Sequence, residues 1–582
     1  MSYEPLPTFD LPHSTPIMVV KNSLYKDNRY QVTIKDTLTG VHIFGKSGSA
    51  KTSGSGKVFA RGMLLNGYGG LVHTVKKSEI GSWMGYGDRI GEHTGHIKAA
   101  GRDAQAVVFG EGCPFTFNPF SYMKRFPKYY DVDFLLTLLL EIYRLAQGAK
   151  GRKPSSGGNS DFWDGMRDGA ARAAIGLLML ADEEINPVVI KQVVDTMPIT
   201  PEAAQEFIKK RETLDYEDFC AWLERKENFA FYCFEMGRMR DDLTENEKGI
   251  LEDVEPYLMR EFPTLGEKYH RTLKEALNII VTPFKNRNGI LYRYFMRGVS
   301  EELCPEKCYE DGAIIIIDFP TEIEEEAGTI IQNVYRMVWQ KVMMMRNVQD
   351  SSKPNYNNRP VFFWMDECSK MVTPRDGDFF SKCREQMVAS VLINQNMNSY
   401  FDKMQGINGA KYATENFLDN IGLHVVHQVD ALTAEWASRQ CGRRMVKRAS
   451  TSISKDSGGV VRFNTSGQPI QPRESTSYSW QNESEVEAIK FMELQRGGKE
   501  NGAITEAILL LNKPHKDKYH LRVEFFQGHL DDGVEEEPFG LNYPREEKGW
   551  LGTRIKEHPT PEERKSVGGF KYRGFVCGVE QI

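Results

Sequence analysis

The 582-residue chain lacks features that define several large protein classes. Its nine cysteines are scattered without regular spacing, which is typical of reduced cytosolic thiols rather than a disulfide framework. Cys304 and Cys308 are close in sequence, but no second Cys or His pair follows at zinc-finger spacing, so we predict no metal site there. A basic excess is also missing. The formal net charge is -6, so any contact with nucleic acid must come from local patches.

Long apolar runs are absent as well. No stretch approaches the ~18–20 apolar residues that a membrane span requires, and the amino-terminal Met-Ser-Tyr-Glu-Pro has neither a basic start nor an apolar signal core. We therefore expect a cytoplasmic protein without an integral membrane segment. With 582 residues and 40% apolar content, the chain is too long for one core and predicts two or three globular domains.

The most informative segment that is present lies at residues 40–52, Gly-Val-His-Ile-Phe-Gly-Lys-Ser-Gly-Ser-Ala-Lys-Thr. A short β-branched and aromatic run ends there in a glycine-rich turn, as in the phosphate-binding pattern G-x-x-x-x-G-K-[ST]. In that pattern backbone N–H groups hold the phosphates, the lysine contacts the β and γ oxygens, and the hydroxyl binds Mg²⁺. The residues predicted to bind nucleotide are Gly45, Lys46, Ser47, Gly48, Ser49, Ala50, Lys51 and Thr52.

One position departs from this pattern, because Ala50 stands where a glycine precedes the lysine. If the position requires a left-handed backbone, the Cβ atom costs roughly 1–2 kcal/mol. An offset frame at 54–57, Gly-Ser-Gly-Lys, is excluded because Val58 supplies no hydroxyl and no strand leads directly into it. The composition alone is also typical of a linker, so the prediction depends on a second motif.

That second motif is the segment at 359–368, Arg-Pro-Val-Phe-Phe-Trp-Met-Asp-Glu-Cys. An uninterrupted apolar run ending in two acids predicts a buried parallel strand, whose carboxyl end is where open α/β sheets bind ligands. Asp366 is then predicted to hold Mg²⁺ or its water, and Glu367 to orient and deprotonate the attacking water. The alternative, a strand that exits into solvent through two acids, is disfavoured by the upstream phosphate loop.

A third strand-like segment, Val388 to Ile393, ends in Asn394-Gln395-Asn396. Parallel strands would place Gln395 at the same edge, where its amide could sense the γ-phosphate. Amides at strand ends are more often ordinary turn formers, and spacing alone leaves both interpretations open.

Strand-like and helical segments alternate on both sides of a long helical region. The predicted fold class is α/β, with a RecA-like P-loop NTPase domain whose mostly parallel central sheet is interrupted by an all-α inserted domain. The predicted parts are 1–121 (phosphate loop), 122–300 (all-α insertion), 301–530 (acidic strand and sensor) and 531–582 (carboxyl-terminal tail). Residues 148–160 are predicted to form an exposed loop, and 449–484, rich in Ser and Thr, to project from the body.

The chain resembles the conjugative coupling proteins of type IV secretion, the TraG/TraD-like branch of the FtsK–HerA motor superfamily. Besides the two nucleotide motifs, the resemblance rests on Gly69-Gly-Leu-Val-His-Thr-Val-Lys-Lys77, Phe115-Thr-Phe-Asn-Pro119, Asp161-Phe-Trp-Asp164 and Trp436-Ala-Ser-Arg-Gln-Cys-Gly-Arg443. It implies a hexameric ring that binds ATP and Mg²⁺ between subunits, with an all-α domain between the nucleotide motifs. Most family members also have amino-terminal membrane helices, from which this sequence departs.

The resemblance further implies a catalytic arginine supplied by the neighbouring subunit, and Arg384 is the residue that matches. A positive group near the γ-phosphate stabilises the charge of a phosphoryl-transfer transition state. The plainer interpretation is that Arg384 caps or solvates its helix, and Lys382 is the nearest substitute. The predicted catalytic set is thus Lys51, Glu367, Gln395 and Arg384, with Thr52 and Asp366 on the metal.

Three functions remain open at this stage. The first is an ATP-hydrolysing ring that moves DNA or a relaxase–DNA complex toward secretion-channel components, recruited to the inner face of the membrane through partners. The second is a HerA-like DNA translocase that acts with a nuclease in repair or defence. The third is a nucleotide-dependent substrate receptor or scaffold that hydrolyses ATP weakly because of Ala50.

Overall fold

The computed structural model describes residues 3–21, 29–85, 95–148, 160–353, 355–403, 410–453, 465–466, 474–515 and 518–527, together with three short strands between 548 and 581. The strands of the main body are β1 (Pro16–Lys21), β2 (Arg29–Thr33), β3 (Val41–Phe44), β4 (Gly69–His73), β5 (Ala106–Gly110), β6 (Ile314–Asp318), β7 (Val361–Met365), β8 (Val388–Asn394), β9 (Leu423–Val426), β10 (Arg443–Ile453), β11 (Glu474–Ser484), β12 (Ile504–His515) and β13 (Lys518–Phe526).

Nine of these strands form one central sheet in the order β5-β6-β4-β7-β8-β3-β9-β12-β13. The first seven run parallel, β12 is antiparallel to β9, and β13 is antiparallel to β12. Strands β3, β7, β8 and β9 are buried along their whole length, as expected for near-continuous apolar runs covered on both faces. This architecture confirms the predicted α/β class with a mostly parallel sheet.

Helices cover both faces of the sheet and pack against two large apolar clusters. The helix after the phosphate loop begins with a π turn at Thr52–Gly56 and continues as an α-helix over Lys57–Leu65. The other helices outside the region between β5 and β6 are Ile34–Thr37, Glu79–Met84, His96–Ala99, Glu325–Met345, Pro374–Lys382, Asn398–Lys403, Ala410–Asp419, Ala431–Gln440 and Ala488–Met492.

The chain between β5 and β6 is almost entirely helical. Its longer helices are Val132–Gly148, Ser160–Leu180, Pro187–Thr196, Pro201–Thr213, Tyr216–Leu223, Phe229–Arg238, Glu245–Pro256 and Glu267–Lys285, and its shorter ones are Pro119–Tyr122, Phe262–Thr264, Ile290–Tyr294 and Lys307–Glu310. All of these helices except Pro119–Tyr122 and Lys307–Glu310 lie within 122–300, the range predicted for the all-α insertion. No helix of the described residues is both long and apolar enough to cross a membrane.

Two antiparallel pairs were not predicted. One is the amino-terminal hairpin β1–β2, and the other is β10–β11, whose strands occupy much of the Ser- and Thr-rich segment. Three further short strands, β14 (Lys548–Gly549), β15 (Thr553–Ile555) and β16 (Val579–Gln581), form a separate sheet. The predicted loop at 149–159, the middle of the 449–484 segment and most of the 531–582 tail lie outside the described residues.

Candidate nucleotide-binding site

The predicted motifs meet at the carboxyl edge of the central sheet. Strand β8 lies between β3 and β7, with Phe44 opposite Asn394 and Met365 opposite Leu392. The residues that follow these three strand ends are therefore neighbours. The phosphate loop, the acidic pair and Gln395 share one edge because their strands are parallel and adjacent.

The tightest link across this edge joins the two nucleotide motifs. The Thr52 hydroxyl donates a hydrogen bond to Asp366 Oδ2 at 2.7 Å, and Asp366 Oδ1 accepts one from the Glu367 backbone N–H at 2.8 Å. Asp366 is buried, and burial raises the pKa of its carboxyl, although the Lys51 charge and the Thr52 hydroxyl act in the opposite direction. A buried carboxylate beside a lysine and a hydroxyl can accept a cation.

The phosphate loop is closed and strained at one residue. A Cβ atom on Gly45 would lie 2.2 Å from Ser49 Oγ and 3.1 Å from the His427 Cβ, so any larger residue there would have to displace the Ser49 side chain. Gly48 and Ala50 both have left-handed backbones, with φ of 76° and 63°. Ala50 thus has the left-handed backbone for which a strain cost was expected. Its Cβ costs roughly 1–2 kcal/mol relative to an unstrained backbone.

Residues distant in sequence form hydrogen bonds with the phosphate loop and with the first turn of the helix that follows it. Thr505, at the start of β12, donates its hydroxyl to the Ser49 carbonyl at 3.0 Å. His427 follows β9, with Nδ1 at 3.0 Å from the Glu506 carbonyl and Nε2 at 2.7 Å from the Ser55 hydroxyl. Burial lowers the pKa of His427 to about 3. The ring is therefore neutral, and because a carbonyl only accepts, Nδ1 carries the proton and Nε2 accepts from Ser55.

Glu367 lies at the centre of a polar cluster. Gln395 Nε2 donates to its Oε1 at 3.3 Å, Lys76 pairs with the same oxygen, and Lys370 Nζ lies 3.7 Å from Oε2. Burial acts to raise the pKa of Glu367, but the Lys76 hydrogen bond and charge outweigh it and hold that pKa below its ordinary value. The residue itself has a left-handed backbone, with φ of 47°. It is thus a deprotonated carboxylate held in a fixed position.

A third carboxyl group, Glu79, lies behind this cluster. Its Oε2 accepts the Val75 backbone N–H at 2.7 Å, and among the described residues its buried Oε1 has no hydrogen-bond partner. Burial and the nearby Asp366 charge raise the pKa of Glu79 to about 8. Three acidic groups therefore share the surroundings of Lys76, and they cannot all be charged without cost.

Arg384 is not part of this edge. It lies in the short 3₁₀ turn Cys383–Gln386 that precedes β8, so the whole strand separates it from Gln395. Seven residues of strand span roughly 20 Å or more. Arg384 is exposed and forms no ion pair with another described residue. It cannot reach the nucleotide site of its own chain. Its two remaining roles are to cap or solvate its own helix, or to contact the site of a neighbouring chain.

The residues at the carboxyl edge fit ATP and Mg²⁺. The helix that begins at Thr52 supplies first-turn N–H groups, and Lys51 adds a positive charge, which together suit phosphate. The Thr52 hydroxyl and the Asp366 carboxylate are the hard oxygen ligands that Mg²⁺ prefers. Within the described chain no cluster of His, Cys, Asp or Glu could hold a metal by itself, and Mg²⁺ is usually bound by one or two carboxylates together with substrate phosphates.

Sequence reasoning did not assign roles to Lys76, Glu79, His427 or Thr505. Lys76 belongs to the quoted segment at 69–77, but its contact with Glu367 follows from β4 lying next to β7. His427 and Thr505 reach the loop because β9 lies beside β3 and β12 lies beside β9. No local sequence signal encodes that strand order.

The match to a family model covers residues 360–496, and this family is described as the TraM recognition site of TraD and TraG. The matched segment includes the acidic strand end, Gln395 and the β10–β11 pair. It confirms, for this part of the chain, the predicted resemblance to the TraG/TraD-like coupling proteins. No curated protein matches the sequence.

Solved structures with a similar fold include coupling proteins. The unbound bacterial conjugative coupling protein TrwBdeltaN70 is 12% identical over 86% of this chain and 87% of its own, with a TM-score of 0.45. The plasmid coupling protein TrwB in complex with the non-hydrolysable GTP analogue GDPNP is 10% identical over 90% and 97%, with a TM-score of 0.48. VirB4 of Thermoanaerobacter pseudethanolicus is 12% identical over 74% and 88%, with a TM-score of 0.36.

Proposed function

We propose that this chain is an ATP-hydrolysing motor subunit that moves DNA, or a DNA–protein complex, as the coupling protein of a conjugative type IV secretion system. The observation that carries the ATPase assignment is the 2.7 Å hydrogen bond from Thr52 to Asp366, which joins the phosphate loop to the acidic strand. The family match over 360–496 supports the conjugative context. The proposed partners are the DNA or relaxase–DNA substrate and secretion-channel components, with recruitment to the inner membrane face through them.

The proposed roles follow the geometry of the edge. Lys51 and the loop amides bind the phosphates, and Thr52 and Asp366 bind Mg²⁺, which neutralises phosphate charge when bound. Glu367 accepts a proton from water, since Gln395 and Lys76 orient its carboxylate and keep it deprotonated. Gln395 donates a hydrogen bond to Glu367, and its role is to sense the γ-phosphate. Arg384 serves the site of an adjacent subunit in a ring, which we propose to be a hexamer.

The test separates nucleotide binding from turnover. Lys51→Ala should weaken ATP binding and abolish hydrolysis, because it removes a phosphate contact. Glu367→Gln should retain ATP and lose turnover by about 10²-fold or more, since it removes the base and keeps the shape. Glu385→Gln, an exposed acid near Arg384, is the control and should change neither. Hydrolysis at the parent rate by Glu367→Gln would refute the assigned base.

A second candidate function is a nucleotide-dependent receptor or scaffold that turns ATP over weakly. The observation that favours it is the left-handed Ala50, whose Cβ occupies a place where the loop pattern has glycine. Saturable ATP binding by the parent protein, with no turnover above that of Glu367→Gln in the presence of DNA, would favour this candidate over the motor.

A further inference from the structure

The β10–β11 ribbon stands apart from the packed body of the protein. Its eleven residue pairs run without a break from Arg443↔Ser484 to Ile453↔Glu474, and neither strand pairs with the central sheet. Apart from Val446, every residue from 443 to 451 and from 475 to 482 is exposed. A two-stranded ribbon is at best marginally stable alone in water, so one with both faces open is suited to gaining contacts from a ligand.

One face of this ribbon is aromatic. Paired residues of an antiparallel ribbon lie on the same face, and here Lys447 is opposite Trp480 and Ala449 is opposite Tyr478. Tyr478 and Trp480 are each 64% exposed, and Met445, two residues before Lys447 on the same face, is 60% exposed. The Lys447 ammonium lies 4.4 Å from the centroid of the Tyr478 ring. Large rings are thus presented to solvent with a cation beside them.

The ribbon is also basic in an acidic chain. Its two strands, 443–453 and 474–484, contain four Lys or Arg and two Glu, a net charge of +2, whereas the whole chain carries -6. On the face opposite the aromatic residues, Arg448 pairs with Glu483, and Arg444 lies 3.7 Å from Glu485. On the aromatic face, Arg443 and Lys447 form no ion pair with any described residue. By register the face that carries the rings has two cations, Arg443 and Lys447, against one acid, Glu474 at the far end of the ribbon.

We propose that the aromatic face of the β10–β11 ribbon binds single-stranded nucleic acid. Unpaired bases stack on exposed rings such as Tyr478 and Trp480, and the backbone phosphates meet Arg443 and Lys447, the combination that single-strand binders use. In a duplex the bases already stack on each other and offer no free faces to these rings. The inference rests on the proposed function for its DNA substrate and adds where that substrate is held and in which form.

The base of the ribbon is joined to the nucleotide site. The Gln428 carbonyl accepts the Lys46 backbone N–H of the phosphate loop at 2.8 Å, and its side chain donates to the Met492 carbonyl at 2.8 Å. Gln428 precedes the helix Ala431–Gln440 that leads into β10, and Met492 ends the helix that follows β11. The Ser438 hydroxyl also donates to the Val486 carbonyl. Both ends of the ribbon thus connect to a residue that touches the loop.

The experiment measures binding of a labelled oligothymidylate by fluorescence anisotropy, without nucleotide, at several salt concentrations. Tyr478→Ala and Trp480→Ala should each weaken binding about tenfold or more. Lys447→Ala should lower the slope of log affinity against log salt by roughly 0.7. Tyr519→Ala, an exposed ring on β13, and Arg448→Ala, on the opposite face, are matched controls that should have much smaller effects. Unchanged thermal midpoints show that the variants fold.

Several outcomes would overturn the inference. Parent-like affinity of the Tyr478→Ala/Trp480→Ala double variant excludes the ribbon, and tighter binding of the duplex form of the probe excludes the single-strand assignment. If the double variant keeps its oligonucleotide affinity but loses assembly, the face is a subunit contact instead. If it keeps that affinity but loses binding to anionic vesicles, the face is a membrane contact. ATPase assays run in parallel separate the two proposals. If the parent hydrolyses ATP but the ribbon variants bind the oligonucleotide as the parent does, only this inference is refuted. If the ribbon variants lose oligonucleotide binding but the parent does not hydrolyse ATP, only the motor function is refuted.

Discussion

The two edges of the central sheet differ in how their candidate catalytic groups are held. At the carboxyl edge, Thr52, Asp366, Glu367 and Gln395 form a connected set of hydrogen bonds, and both carboxyl groups are buried. At the amino edge, Arg384 is exposed on a short turn and has no ionic partner among the described residues. A site that needs both groups is incomplete in one chain. The difference therefore predicts that catalysis depends on assembly.

The largest effect is expected from removing Arg384, the group at the amino edge. Arg384→Ala should lower turnover by about 10³-fold, because a trans arginine that stabilises phosphoryl transfer contributes 10³–10⁵. Mixing Arg384→Ala subunits with Lys51→Ala subunits, each inactive alone, creates interfaces where an intact loop meets an intact arginine. Recovery of part of the parent activity is expected, measured as ATP hydrolysis across mixing ratios.

The matched control is Lys382→Ala, because Lys382 is exposed on the neighbouring helix and carries the same charge. It should hydrolyse ATP at nearly the parent rate. Normal turnover by Arg384→Ala would remove that residue from the mechanism. Failure to recover activity, despite demonstrated co-assembly, would contradict a site shared between two subunits that work independently.

The next effect tests how the carboxyl edge controls its base. Lys76→Met removes the hydrogen bond and charge that hold the pKa of Glu367 below its ordinary value. That pKa should rise, and since the base acts when deprotonated, the acid limb of the kcat/KM profile should move to higher pH. Turnover below the new limb falls about tenfold for each unit of movement. Lys77→Met, the exposed neighbour, should leave the limb in place; an unmoved limb in Lys76→Met contradicts the proposed control.

A smaller effect should appear in stability rather than in turnover. The pKa of Glu79 is raised from 4.5 to about 8, so the folded state holds this proton more tightly than the unfolded state does. The parent should lose stability as the pH rises from about 4.5 to about 8, because the unfolded chain releases this proton in that range while the folded chain still holds it. Glu79→Gln removes that loss, so its gain in stability over the parent should grow through this range, by up to about 1.4 kcal/mol per pH unit.

The measurement is the unfolding free energy of both proteins at several pH values, without nucleotide or Mg²⁺, because a cation would change the charge around Asp366. Glu111→Gln, at an exposed glutamate, is the control and should track the parent at every pH. A difference between Glu79→Gln and the parent that stays constant from pH 5 to pH 8 would show that Glu79 titrates normally.

The contrast between the edges also explains which features could be predicted. Gly45, Thr52, Asp366 and Gln395 follow apolar runs, and parallel strands place such ends at one edge of the sheet whatever their exact order. The Lys76–Glu367 pair could not be foreseen, because it depends on β4 lying beside β7. The same holds for Thr505 beneath the phosphate loop.

The ribbon was missed for a different reason. Its Ser- and Thr-rich strands bury neither face, so they lack the alternation of apolar and polar residues that marks a half-buried strand. The hairpin β1–β2 shows the converse. Its first strand is apolar, but it falls outside the repeating β/α layout from which the other strands were recognised.

The smallest expected effect concerns the strained residue at the carboxyl edge. Ala50 has a φ of 63°, and glycine there removes roughly 1–2 kcal/mol of strain, partly offset by the greater entropy that glycine loses on folding. We therefore expect Ala50→Gly to gain about 1 kcal/mol in unfolding free energy or in ATP binding, up to roughly tenfold in affinity. Ala60→Gly, in the helix Lys57–Leu65, is the control of opposite sign and should lose about 1 kcal/mol.

Equal stability and equal ATP affinity of Ala50→Gly and the parent would mean that the contacts around the loop compensate the strain. A Cβ on nearby Gly497 would come within 2.9 Å of the Ala50 Cβ, so the methyl group packs closely against this segment, and its removal could cost what the backbone gains. A gain in turnover would instead show that the methyl group restrains the carboxyl edge, and would separate the motor from the weakly hydrolysing receptor.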